Sequence, residues 1–160
     1  MNNYFKLEEL VCPHVFRKYG SFAWNFIDER LTITLNTIRD RIRKPITVNN
    51  YTIEGQLIKY MTENAYSQRG LRCCQCQIVE DKLLSNVLYM SAHILGKGAD
   101  FDVEGMPAEE VREWIRVHQN ALPYNIRIEK HVEWVHLDLF NNKSNLKVYE
   151  FASSLFLTNI

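Results

Sequence analysis

Three short stretches carry side chains that could hold a divalent metal and hydrolyse a bond. The first is Ser91-Ala92-His93, the second is Gly98-Ala99-Asp100, and the third is Glu133-Trp134-Val135-His136. Two imidazoles and one carboxylate can bind zinc and leave a fourth position open for water. Glu133, three residues before His136, is a further carboxylate placed where a general base would be useful. Gly96 and Gly98 lie between His93 and Asp100. Glycines let the chain turn sharply and come close to a metal without a Cβ clash. Ser91 could hydrogen-bond a neighbour or the backbone of that turn. Taken alone, His93 to Asp100 reads more simply as a glycine loop with an exposed His and Asp. The third stretch makes a geometric demand. Side chains alternate along a regular strand, so Glu133 and His136 would point oppositely. Both can serve one site only if the strand begins near Glu133 or a bulge intervenes, and such an irregularity is expected. Asp138 shares parity with His136 and could accept a hydrogen bond from a ligand, but a surface charge is the simpler expectation.

The elements that must position these groups are partly visible. Residues 5 to 30 are rich in Phe, Leu and Trp and predict short helices covering the core. Leu31, Leu35, Ile38 and Ile42 recur at helical spacing, and Pro45 closes that helix. Ile46-Thr47-Val48 reads as a short strand. Residues 50 to 90 show little periodicity and predict a long, partly irregular excursion carrying Arg69 and Arg72. Ala99 to Val103 reads as a strand. Pro107 with Glu109 and Glu110 marks a helix start, and Val111, Trp114, Ile115 and His118 share one side of a helix running to about Asn120. Ile126 to Leu139 predicts one or two strands. Mixed order of helices and strands implies an α+β domain with a central antiparallel sheet and flanking helices.

Composition narrows the classes. The chain has 160 residues, enough for one domain spanning 1–160. Lys plus Arg equals Asp plus Glu, 19 each, so there is no basic surplus for a nucleic-acid partner. No run approaches the roughly 20 apolar residues of a membrane span, so no membrane insertion is expected. The opening MNNYFKLEEL lacks the pattern of a secretory signal, which predicts synthesis in the cytoplasm. A monomer is the simplest oligomeric expectation. Four cysteines occur, Cys12, Cys73, Cys74 and Cys76. Without an export signal they are not expected to form disulfides. Read as C-C-x-C, the cluster at 73–76 lacks the paired spacing of a zinc site, so free thiols in a turn or core edge are expected. Cys12-Pro13-His14 likewise reads as a buried Cys beside a surface His.

The joint occurrence of S-x-H-x6-D, present as SAHILGKGAD, and E-x2-H, present as EWVH, resembles the zinc D-Ala-D-Ala carboxypeptidases and dipeptidases. That family includes L-alanyl-D-glutamate endopeptidases of phage lysis cassettes and has the Hedgehog/DD-peptidase fold. The resemblance covers roughly residues 30 to 140, including the Pro-Ile-Thr-Val segment and a Gly-Leu-Arg loop. It implies that His93, Asp100 and His136 bind Zn2+ and that Glu133 is the catalytic base. It implies an arginine that binds substrate or oxyanion, matched best by Arg72 and next by Arg69. The commoner family pattern puts that arginine in a Ser-Gly-Tyr-Arg turn after the strand. Here the place reads Asn49-Asn50-Tyr51-Thr52. The implied function is a hydrolase, a metallopeptidase cutting a bond in the peptidoglycan stem peptide, such as a phage endolysin acting on the cell wall after release. The alternative is a non-catalytic zinc-containing module of the same fold that binds peptidoglycan or a protein. A structural protein with His and Asp at its surface is the remaining reading.

Overall fold

The periodic apolar residues after Ile27 form helix α3, Glu29–Ile42, in the computed structural model, which describes residues 3–54, 57–60, 66–141 and 144–152. Asp28 caps it, its carboxylate accepting from the Arg30 backbone N–H. At its end Arg43 takes a left-handed φ of 55°, and Pro45 prevents another turn. Leu31, Leu35 and Ile38 are buried in the main core.

Upstream, the Phe- and Leu-rich segment forms α1 (Leu7–Leu10), α2 (Pro13–Tyr19) and a 3-10 helix over Gly20–Phe26. Downstream come β1 (Ile46–Thr47), a separate hairpin of β2 (Tyr51–Glu54) and β3 (Leu57–Tyr60), and helix α4 (Gln77–Leu84). Then follow β4 (Gly98–Val103), α5 (Ala108–Val117), a 3-10 turn at Gln119–Ala121, β5 (Ile126–Glu129), β6 (Val135–Asp138) and β7 (Val148–Phe151). The excursion over 50 to 90 is therefore more regular than expected. Among its described residues it holds a hairpin and a helix. Helix α4 escapes periodicity because it buries only Val79 while Leu83 and Leu84 are exposed.

The main sheet has the order β1-β4-β6-β5-β7. Its first four strands pair antiparallel, but β7 runs parallel to β5. The sheet is thus mixed, a correction to the all-antiparallel expectation. The chain folds as one mixed α+β domain. Alternation along the strands sorts the residues by face. Ala99, Phe101, Val103, Ile126, Ile128, Val135 and Leu137 enter the core with Val111 and Ile115 of α5. Residues of the opposite parity, Asp100, Arg127, His136 and Asp138, meet on the other face. Among the described residues no helix is long and apolar enough to cross a membrane.

Candidate metal centre

Strands β4 and β6 bring two of the three expected ligands together. Their register sets Asp100 opposite His136, and directly opposed residues on one face are close enough to touch. The third, His93, arrives on the turn before β4. Gly96 adopts φ +64° there, and a Cβ on it would lie 1.9 Å from the Phe26 carbonyl oxygen. Only glycine satisfies both conditions. Ser91 serves the same turn, its Oγ accepting from the Ile94 N–H at 3.4 Å. The expected glycine-assisted convergence is therefore present.

One donor atom from each of His93, Asp100 and His136 lies within 4.8 Å of the others. His136 Nδ1 is 2.7 Å from Asp100 Oδ1. His93 Nε2 is 3.3 Å from His136 Nδ1 and 3.3 Å from Asp100 Oδ2. The outer nitrogens are also engaged. His93 Nδ1 donates to the Gly70 carbonyl at 2.9 Å. Because a carbonyl can only accept, that proton sits on Nδ1 and the Nε2 lone pair faces the cluster. His136 Nε2 donates to Asp138 Oδ2 at 3.0 Å, which turns Nδ1 inward. Partners of this kind orient metal-binding imidazoles and raise their basicity. Asp138 is 1% exposed and is held by two bonds from Arg127, both 2.8 Å. It is not the surface charge that its sequence position suggested.

The electrostatics follow from this packing. Burial would push the Asp100 carboxyl up, but hydrogen bonds from His136 and His93 outweigh it and hold the group well below the usual carboxylate range. Burial likewise opposes the charge on His136, yet Asp100 and Asp138 on either side raise it to about 9. Burial of Asp138 is overcome by His136 and Arg127, leaving it at about 2. For His93 burial wins and its pKa falls. Two imidazoles and a carboxylate, buried and mutually facing, suit zinc. The proton that His136 Nδ1 shares with Asp100 is one that a divalent cation would displace.

Arg72 also reaches the centre. Its Nη2 donates to Asp100 Oδ2 at 2.9 Å, its Nη1 meets the Tyr89 hydroxyl at 3.3 Å, and its Nε donates to the Gln68 carbonyl. Arg69 lies farther out, paired with Asp102 and stacked 3.5 Å over the Tyr66 ring. Two cavities meet at Arg72, Asp100 and Trp134. One, of about 310 Å³, is lined by His93, His136 and Asp138, and the other by Tyr66, Arg69 and Ile78.

Glu133 stands apart from these contacts. It is exposed, on a bend that ends where β6 begins at Val135. The expected irregularity between Glu133 and His136 is thus real, and its cause lies in α5. Buried Arg112 donates to the carbonyl oxygens of Val132 at 3.0 Å and Trp134 at 2.9 Å, on either side of Glu133. The neighbouring His131 has φ +64°. Trp134, not Glu133, lines both cavities.

Arg112 and Arg127 were not singled out from the sequence, and the acceptor role of Asp138 stood there second to a surface charge. The signal for Asp138 was its parity with His136. For Arg127 it was the Ile-Arg-Ile alternation, which sends Arg127 to the face opposite the core.

Compared with known proteins, the chain matches no family model, no curated protein and no solved structure.

Proposed function

We propose that this protein is a zinc-dependent peptidase of the Hedgehog/DD-peptidase type, hydrolysing a bond in the peptidoglycan stem peptide. The observation that carries the reading is the facing of three donor atoms, each imidazole oriented by an acceptor on its outer nitrogen. His93 Nε2, Asp100 and His136 Nδ1 would hold the ion, which when bound supplies a Lewis acid and lowers the pKa of water to about 7. Glu133 takes a proton from the attacking water and hands it to the leaving amine. Arg72 holds the Asp100 carboxylate in place and presents its guanidinium to a substrate carboxylate or developing oxyanion. Trp134 packs against the bound peptide and excludes water. The substrate class, a D-amino-acid-containing peptide, rests on the two sequence motifs.

The test is digestion of purified peptidoglycan with mass analysis of the fragments, which reports activity and the cleaved bond together. Glu133→Gln is expected to keep its zinc and lose hydrolysis, and His136→Ala to lose both. Full activity in Glu133→Gln would remove Glu133 from the role. The exposure of Glu133 favours the second reading, a zinc-containing module that binds its target without cutting it. Retained peptidoglycan binding with no fragments released would establish that reading instead.

A further inference from the structure

A second cluster lies where none was expected. Cys12, His14, Cys73 and Cys76 each offer a ligand atom within 4.8 Å of the others. Cys12 Sγ is 3.7 Å from Cys73 Sγ, and His14 Nδ1 is 3.8 Å from Cys73 Sγ and 4.0 Å from Cys76 Sγ. Tetrahedral zinc with ordinary bond lengths separates two sulfurs by about 3.8 Å and a sulfur from a nitrogen by about 3.6 Å. The three separations above stand near those edges, whereas a disulfide would need its sulfurs at about 2 Å. Reading CCQC as C-C-x-C hid the relevant spacing. Cys73 and Cys76 are themselves a C-x2-C pair, and Cys74 between them is exposed.

The backbone between Cys73 and Cys76 closes into a tight turn. The Cys76 N–H donates to the Cys73 carbonyl at 3.0 Å, and the Cys73 N–H points at Cys76 Sγ at 3.3 Å. Amides directed at sulfur favour the thiolate, the form that binds metal. Cys12 precedes α2 and Cys76 precedes α4. Cys12 and Cys76 are fully buried, while His14 and Cys73 are partly accessible. Backbone bonds fix the two halves to each other: Cys12 N–H to Leu71 O at 2.9 Å, and Leu71 N–H to Leu10 O at 2.8 Å. Gly70 permits this crossing, since a Cβ there would lie 2.1 Å from Leu10 O.

We propose that Cys12, His14, Cys73 and Cys76 form a second zinc site, structural in character and separate from the His93 centre. Three thiolates and an imidazole fill all four tetrahedral positions and leave none for a substrate. The site ties helices too short to persist alone to the segment from which Arg72 reaches Asp100. The existence of this site does not depend on the peptidase reading.

The test uses the full chain with zinc alone. The variant H93A/H136A, which lacks the other centre, is expected to purify with about one zinc per chain. A mercurial thiol reagent releases that zinc to a chelating dye. Cobalt exchange gives thiolate-to-cobalt charge-transfer absorption. Adding Cys73→Ser and Cys76→Ser abolishes both signals, whereas Cys74→Ser leaves them unchanged. If the double serine variant fails to fold, Cys76→His keeps four ligands and retains the zinc with weakened charge transfer. The proposal is overturned if folded H93A/H136A carries no zinc, whether its thiols are all free or Cys12 is found bonded to Cys73. An unmutated chain that also carries only about one zinc, all of it released by the mercurial, would count against the peptidase reading and leave this site standing.

Discussion

At the scale of single residues, Asp138 holds the His136 imidazole and Arg112 holds the bend that precedes it. Asp138 sits between the His136 imidazole and the Arg127 guanidinium. An asparagine there can accept from one neighbour only by turning an N–H toward the other. Asp138→Asn is therefore expected to weaken zinc binding by about 10- to 100-fold, read by competition with a chelator of known affinity. Unchanged affinity would show that the Nε2 bond does not matter to the ligand. On the peptidase reading proposed above, Arg112 would be a positioning residue, acting through the bend that carries Glu133. One guanidinium spans the two carbonyls around that bend, and a lysine ammonium has no planar fork with which to replace it. Arg112→Lys is expected to keep the metal and to lower kcat by up to about 100-fold, with little change in KM. A folded Arg112→Lys with normal turnover would detach the bend from catalysis.

At the scale of elements, the turn that carries His93 is braced against the start of α3. The Asp28 N–H donates to Gly96 O at 2.9 Å while the Asp28 side chain caps the helix. Asp28→Ala should cost about 1 kcal/mol in denaturant unfolding. Gly96→Ala should cost more than Asp28→Ala and also reduce zinc occupancy, because it strains the ligand turn itself. Equal stability of the Gly96 variant and wild type would contradict the crossing at Phe26. Helix α3, β4 and α5 were legible because their apolar periods match their burial. Helix α4 was not, because its exposed leucines mask the period, nor was the parallel pairing of β7, which no local pattern encodes. The convergence of His93, Asp100 and His136 was legible through residue type and spacing. The Cys12 cluster was not, because its halves lie 61 residues apart and meet through long-range pairing such as the Val11–Leu71 bridge.

At the scale of the whole molecule, zinc held as proposed would be thermodynamically linked to the fold. A ligand that binds only the folded state stabilises it by about 2.7 kcal/mol when its free concentration is 100 times Kd. Removing metal with a chelator is therefore expected to lower Tm, and restoring zinc to recover it. If Tm were indifferent to chelator in a protein shown to lose its metal, the ion would not be bound by the native fold. Strand order adds a kinetic side to this linkage. The strand bearing His136 lies in the middle of the sheet between β4 and β5, yet it follows both in the chain. A nascent polypeptide that has emerged only through β5 has no partner for the inner edge of β4, whose backbone N–H and C=O groups there stay unpaired. The closing of this sheet must wait for the strand that carries His136. An mRNA cut before that codon would leave β4 and β5 without the strand that joins them.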